Sequence, residues 1–356
     1  MLWTLLCRVV DNFGDVGFAW RLAADLAGRG EKVRLCVDDA HALAWMAPGG
    51  MAGVEVVAWN DATALGSDVL VETFGCGWPE RVAAELTAQT ARPICVNVEH
   101  LSAEAFVVRS HGLPSPRFAS DGTAIPSWFF YPGLAAGTGG LLREPGLLER
   151  RLAFGDGRAW LAGRSIERAQ DERCIGLFCY PEAPVETLLD ALSAAPTLIL
   201  LAAGAATERA LAALGPEGRR GRLRAVAMPP LAQEDFDRLL WSCDLNLVRG
   251  EDSLVRAIWA GAPFLWQLYV QEDGAHRAKL EAFLDRYVDA VDPSLAAAIR
   301  SAFGRWNGDR AASLAAAAAD ARLRAAWSLH ARGWRDRLAG QDDLATRLRA
   351  FVEARR

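Results

Sequence analysis

Short, almost wholly apolar runs alternate with stretches in which apolar positions recur every three or four residues, and this alternation organises the first part of the chain. Leu2–Val10 reads as a strand, Phe18–Ala27 as a helix and Lys32–Val37 as a strand. His41–Met46 follows as a short helix, then Val54–Trp59 and Ser67–Glu72 as strands, Glu80–Ala91 as a helix and Ile94–Glu99 as a strand. Strands without an alternating polar face are buried on both sides. Separated by helices, they imply a parallel sheet with crossover connections, the doubly wound α/β pattern.

Between Ser110 and Gly140 the periodicity gives way to proline, glycine, serine and aromatic residues, a length of irregular chain that usually carries function or an interdomain face. The alternation then resumes. Strands are expected at Cys174–Cys179, Thr197–Leu201, Leu223–Met228, Leu245–Val248 and Phe264–Leu268. Helices fall between and after them at Val185–Ala194, Thr207–Leu214, Glu234–Ser242, Ser253–Ala260 and His276–Leu284. Beyond Asp292 the pattern is helical throughout, including the alanine-rich Ala311–Ala321, and Gly340 separates off a terminal helix, Asp342–Arg356. The chain thus divides into an N-terminal Rossmann-like domain, 1–171, and a C-terminal nucleotide-binding one, 172–340, with the helix at 341–356 returning to the first. Two such domains facing across a cleft describe the GT-B glycosyltransferase architecture.

Composition narrows the class. The 356 residues exceed what one core usually holds, and 52% hydrophobic with 23% charged residues excludes a disordered chain. The apolar start is cut short by Arg8 and Asp11, so neither a signal peptide nor a membrane helix is expected, and the cytoplasm is the natural location. Seven scattered cysteines without a CxxC pair, and five dispersed histidines, point to free thiols rather than to disulfides or a metal site. Net charge is −5, and the arginines of the last third alternate with alanine and acids, a solvated-helix pattern rather than a nucleic-acid surface.

Three constellations carry candidate chemistry. The loop after the first strand, Asp11-Asn12-Phe13-Gly14-Asp15-Val16-Gly17, stands where doubly wound sheets bind ligands, but its GxxG spacing and two aspartates argue against a dinucleotide. Two carboxylates there suit a cationic substrate or general-base work; the alternative is a helix cap with an acid in the first turn. The second is Arg249-Gly250-Glu251-Asp252-Ser253, a strand end, a glycine turn and a helix start, the makings of a diphosphate site. Its alternative is that Asp252 or Ser253 simply caps the helix. The third comprises Phe178 and Tyr180 at a strand end, with Gln233 and Phe236 at a helix start. They can stack and pair with a nucleobase, or they can be core.

Taken together, DNFGDVG, VNVEHLSAE, WFFYPG, GGLLRE, LFCYPE and the long run from QEDFDRLLWSCDLNLVRGEDS to WQLYVQEDGAH resemble the EarP family of protein-arginine rhamnosyltransferases, from about Asp11 to Leu284. The resemblance implies a GT-B fold, no metal and no cofactor. It implies transfer of L-rhamnose, with inversion, from dTDP-β-L-rhamnose to one arginine of translation elongation factor P. Carried over by motif, Asp11 and Asp15 are the catalytic aspartates, with Glu251 as a further carboxylate of the catalytic set. Asn12, Phe13 and Gly14 complete the first loop. Phe178, Tyr180, Gln233 and Phe236 hold the thymine and sugar end, and Arg249, Glu251, Asp252 and Ser253 line the diphosphate and ribose. Glu251 is unusual beside a diphosphate and could instead bind hydroxyls or the acceptor cation. Ala262 and Val270 depart from the family pattern, outside the expected contacts.

Other readings are a GT-B enzyme with a different acceptor, a nonenzymatic nucleotide-sugar-dependent partner of a translation factor, and an NAD-linked oxidoreductase. Intact Asp11, Asp15 and Glu251 count against a pure binder, and the missing GxGxxG counts against the oxidoreductase.

Overall fold

A computed structural model describes residues 1–10, 13–272, 274–315 and 321–356. Two compact units emerge, one formed by Met1–Pro145 with Ala339–Arg356, the other by Gly146–Leu338.

The first unit runs β1 (Leu2–Cys7), α1 (Gly14–Gly28), β2 (Lys32–Val37), α2 (Leu43–Met46), β3 (Val54–Ala58), β4 (Val69–Thr73), α3 (Glu80–Ala88), β5 (Ile94–Val98), α4 (Ala105–Ser110), β6 (Arg117–Phe118), β7 (Ala124–Ile125) and β8 (Ser127–Phe130). Its main sheet has the order β3-β2-β1-β4-β5-β8, with every pair parallel. Trp3, Leu5, Val69, Val71, Val96 and Val98 face a core under α1, and Leu6, Leu70 and Cys95 face a second core with Val82 and Leu86 of α3. Burial on both faces is why these strands show no alternating polar pattern.

The second unit begins with α5 (Leu147–Phe154) and α6 (Arg158–Ala162), then β9 (Arg173–Leu177), α7 (Val185–Leu192), β10 (Thr197–Leu201), α8 (Ala205–Leu214), β11 (Arg219–Arg220) and β12 (Leu223–Ala227). It continues with α9 (Gln233–Trp241), β13 (Leu245–Arg249), α10 (Glu251–Ala260), β14 (Phe264–Gln267), α11 (Ala275–Tyr287), α12 (Pro293–Trp306) and α13 (Ala321–Ala339). The sheet order is β11-β12-β10-β9-β13-β14, parallel except for the β11–β12 pair. Phe264 anchors an aromatic core with Tyr287 and Phe303 at ring-centroid distances of 5.0 and 6.0 Å. A final helix, α14 (Leu344–Glu353), belongs to the first unit. It packs Leu344, Leu348 and Val352 into the core beneath α1, and Arg29 bridges Asp25 and Asp343 at 2.7 and 2.8 Å.

Four sequence expectations differ from what is observed. The irregular segment Ser110–Gly140 contains β8, an edge strand too short between Pro126 and Pro132 to show a period. Helix α1 starts at Gly14 instead of Phe18; glycine and aspartate have low helix propensity, so the first turn does not show in the apolar pattern. The second unit starts at Gly146 instead of 172: Arg151 donates from Nε to the Ala260 carbonyl at 3.0 Å, and Phe154 packs on Trp241 at 5.4 Å. Gly157 lies so close to Ser242 that a Cβ would meet its Oγ at 2.1 Å. Within the alanine-rich run expected to be helical, residues 311–315 form turns, 316–320 lie outside the described residues, and α13 begins at Ala321. The thiols follow expectation: all seven cysteines are free and six are buried.

Candidate functional site

In the second unit, strand order reverses between β9 and β13, since β9 continues to β10 on one side and meets β13 on the other. Ligands of doubly wound sheets bind at the carboxyl ends of strands beside such a switch point. The residues gathered there are Phe178 and Tyr180 beyond β9, Arg249 at the end of β13, and Phe236 on α9. Phe178 meets Phe236 edge to face at 5.5 Å, and the Arg249 guanidinium lies over the rings of Phe178 and Tyr180 at 4.7 and 4.6 Å. Phe178 and Phe236 are half-buried, which distinguishes them from the fully buried core aromatics Phe264 and Phe303. Gln233 opens α9 three residues before Phe236, on the same helical face.

The turn after β13 is pinned from β14. Gly250 has φ 65° and ψ 179°, a conformation open to glycine almost alone. Its carbonyl accepts the Trp266 indole N–H at 2.8 Å, and its N–H donates to the Gln267 carbonyl at 3.2 Å. Gly250 is also the N-cap of α10 and brings no side-chain oxygen to the first-turn amides. Asp252 and Ser253 therefore stand within the first turn and do not cap it. The helix end keeps the positive partial charge that attracts anions.

Trp266 and Gln267 open the motif WQLYVQEDGAH, which carried the resemblance without an assigned role for either residue. The buried Gln267 accepts the Tyr180 N–H through Oε1 at 2.8 Å and so ties β14 to the end of β9. A glutamine closing the apolar strand FLWQ was the available signal.

In the first unit, the switch point lies between β1 and β4. Asp11 and Asn12 lie outside the described residues. Phe13 is the N-cap of α1 and meets Trp45 edge to face at 5.1 Å, while Gly14 begins the helix. Asp15, buried in the first helical turn, accepts the Val10 amide through Oδ2 at 2.8 Å, which ties Val10 to the helix start. Beside this loop, at the end of β4, Phe74 adopts φ 57°, uncommon for an aromatic residue, and stacks on His100 at 4.3 Å. Next to His100, burial pushes the Glu99 carboxyl above its ordinary value, against the neighbouring His100 and a 2.7 Å hydrogen bond from Asn97. Phe74 lay outside the recognised motifs; Glu99 and His100 lay within VNVEHLSAE without an assigned role.

Among the described residues, no group of three or more His, Cys, Asp or Glu side chains is arranged to hold a metal ion. No described helix is long and apolar enough to cross a membrane.

Comparison with known proteins gives concordant matches. The profile of EarP, described as elongation-factor P (EF-P) rhamnosyltransferase EarP, matches residues 3–353. A protein-arginine rhamnosyltransferase of Pseudomonas aeruginosa is 39% identical over 98% of this chain and 98% of its own. Its counterpart in Pseudomonas putida is 41% identical with the same coverage. Among solved structures, one described as the structural basis for EarP-mediated arginine glycosylation of translation elongation factor EF-P is 34% identical, covers 99% of both chains and superposes with a TM-score of 0.70. The spinosyn rhamnosyltransferase SpnG, at 14% identity, 98% and 99% coverage and a TM-score of 0.55, shares the GT-B fold alone.

Proposed function

The chain belongs to the EarP family of elongation factor P rhamnosyltransferases and is a protein-arginine rhamnosyltransferase, and from that membership we propose that it moves L-rhamnose from dTDP-β-L-rhamnose to an arginine side chain of elongation factor P. The acceptor, a translation factor, makes the cytoplasm the compartment of the reaction. The observation that supports the donor assignment most is the group at the second unit's switch point, where half-buried aromatics and one arginine adjoin an α10 N-terminus that has glycine as its N-cap.

In this reading thymine stacks on Phe178 and Phe236, with Tyr180 and the Gln233 amide at its edge and the sugar end. Arg249 leaves the aromatic faces for the diphosphate, which also meets the first-turn amides of α10 and the Ser253 hydroxyl. Asp252 lines the ribose side. Arginine is a poor nucleophile: its guanidinium stays protonated far above neutral pH, and its lone pairs are delocalised. Carboxylates of the first loop, Asp11 and Asp15, hold the guanidinium by charge-assisted hydrogen bonds and aim one nitrogen at the anomeric carbon, with Asn12, Phe13 and Gly14 shaping the loop. Glu251 is the third carboxylate of this set. As the C–N bond forms and the C–O bond to dTDP breaks, the configuration inverts and the attacking nitrogen becomes acidic. An aspartate takes its proton, and the charge on departing dTDP is met by Arg249 and the α10 amides.

Phe178→Ala is expected to weaken dTDP binding about five- to a hundred-fold, since stacking a base on an aromatic ring contributes about 1–3 kcal/mol. Calorimetry with dTDP reads this directly, and an unchanged affinity would return Phe178 to a purely structural role.

The experiment for the whole reading incubates the protein and elongation factor P with a panel of dTDP- and UDP-sugars, with and without EDTA, and weighs the factor. Labelling only with dTDP-rhamnose, undiminished by chelator, is expected because Arg249 and the α10 N-terminus stabilise the leaving group without a cation. Equal labelling from UDP-sugars, or turnover lost in EDTA and restored by magnesium, would contradict it.

A further inference from the structure

Glu251 and Asp252 open α10 beside the proposed diphosphate position. Carboxylates there suit the helix dipole but repel a bound polyanion, and within the turn itself one arginine, Arg249, stands beside two acids. A further positive charge comes from α11. Lys279 is one of two lysines in the chain, the other 37 basic residues being arginine, and the single lysine of the second unit. Its ammonium forms an ion pair with Glu251 Oε1, and the two side chains are 19% and 21% exposed, shielded enough for the charges to be felt strongly. A lysine ammonium is a compact point charge that can sit against one carboxylate oxygen, whereas a guanidinium fork spans two.

We propose that Lys279 is the counter-charge of Glu251, a positioning residue that lets a carboxylate stand in this turn without excluding an anionic donor. With Lys279 in place, the acids and bases of the turn balance, and the first-turn amides of α10 set the sign of the potential. Without it the turn is net negative and repels the donor diphosphate. The same pair fixes the Glu251 carboxylate, so its position is set before any substrate arrives. This inference rests on the donor reading given above.

The test is calorimetric binding of dTDP, without turnover, to the wild-type protein and to Lys279→Met, Lys279→Arg, Glu251→Gln and the double variant Lys279→Met/Glu251→Gln. Lys279→Met should weaken binding about ten-fold or more, because it removes the positive charge held against a half-buried carboxylate beside the phosphates. Lys279→Arg should keep most of the affinity. The double variant should recover affinity close to that of Glu251→Gln, because removing the negative charge removes the need for its partner. A lysine that only tethers α11, or that itself grips a phosphate, gives a double variant as weak as Lys279→Met, and that result overturns the proposal, as does wild-type affinity in Lys279→Met. Should Lys279→Met melt early, the comparison of the double variant with Glu251→Gln decides by the same criterion. Wild-type protein that binds no dTDP would instead refute the donor reading itself.

Discussion

Asp15→Asn should cut transfer to elongation factor P by roughly 10²- to 10⁴-fold, the usual contribution of a positioned general acid or base. Asparagine is nearly isosteric, and its amide oxygen can still accept the Val10 N–H that Asp15 holds at 2.8 Å. The Val10 contact and α1 are therefore kept, and the loss is chemical. What disappears is one negative charge to grip the guanidinium and one base to receive its proton. Asp15 belongs to the first unit and the proposed donor residues to the second, so dTDP affinity should be unchanged. Single-turnover rates beside calorimetry separate the two effects. Substantial turnover in the variant would remove Asp15 from the chemistry and leave its carboxylate as a clasp for the Val10 amide.

Asp237→Ala is expected to destabilise the second unit by about 3–5 kcal/mol, the cost of leaving a buried charge without its partner. Asp237 on α9 accepts two hydrogen bonds from Arg256 on α10, at 2.8 and 2.6 Å, and both residues are buried. For a unit of this size each kcal/mol lowers the melting temperature by about 2–4 °C, so a drop of roughly 6–20 °C should be measured. The pair joins the helix that carries Gln233 and Phe236 to the helix that begins with Glu251, Asp252 and Ser253. Donor affinity should consequently fall in the folded fraction as well. A melting temperature within a degree or two of wild type would show that the pair contributes little.

Much of the fold was legible because buried parallel strands leave an unmistakable record: Lys32–Val37 and Thr197–Leu201 are strands over the expected residues. Strand and helix ends were less legible: the first turn of α1 has Gly14 and Asp15 in place of apolar residues, so the periodic pattern starts only at Phe18. Helices α5 and α6 could not be assigned to the second unit from sequence, because what attaches them is packing at Trp241, Ser242 and Ala260. Phe178, Tyr180 and Arg249 stood out as motif residues, yet only the fold brings Arg249 over the two rings. Lys279 was invisible as a partner of Glu251, because 28 residues and a strand separate them and no local spacing encodes the contact.

The proposed reaction requires the protein to read a guanidinium on elongation factor P. The most direct measurement is the intact mass of elongation factor P after incubation with this protein and dTDP-β-L-rhamnose, for the wild-type factor and for a variant whose target arginine is replaced by lysine. Lysine keeps the charge but presents a single compact ammonium that cannot bridge two carboxylates as a planar fork does. One added deoxyhexose is expected on the wild-type factor and none on the lysine variant; equal labelling of both, or labelling of neither, would contradict the proposed function.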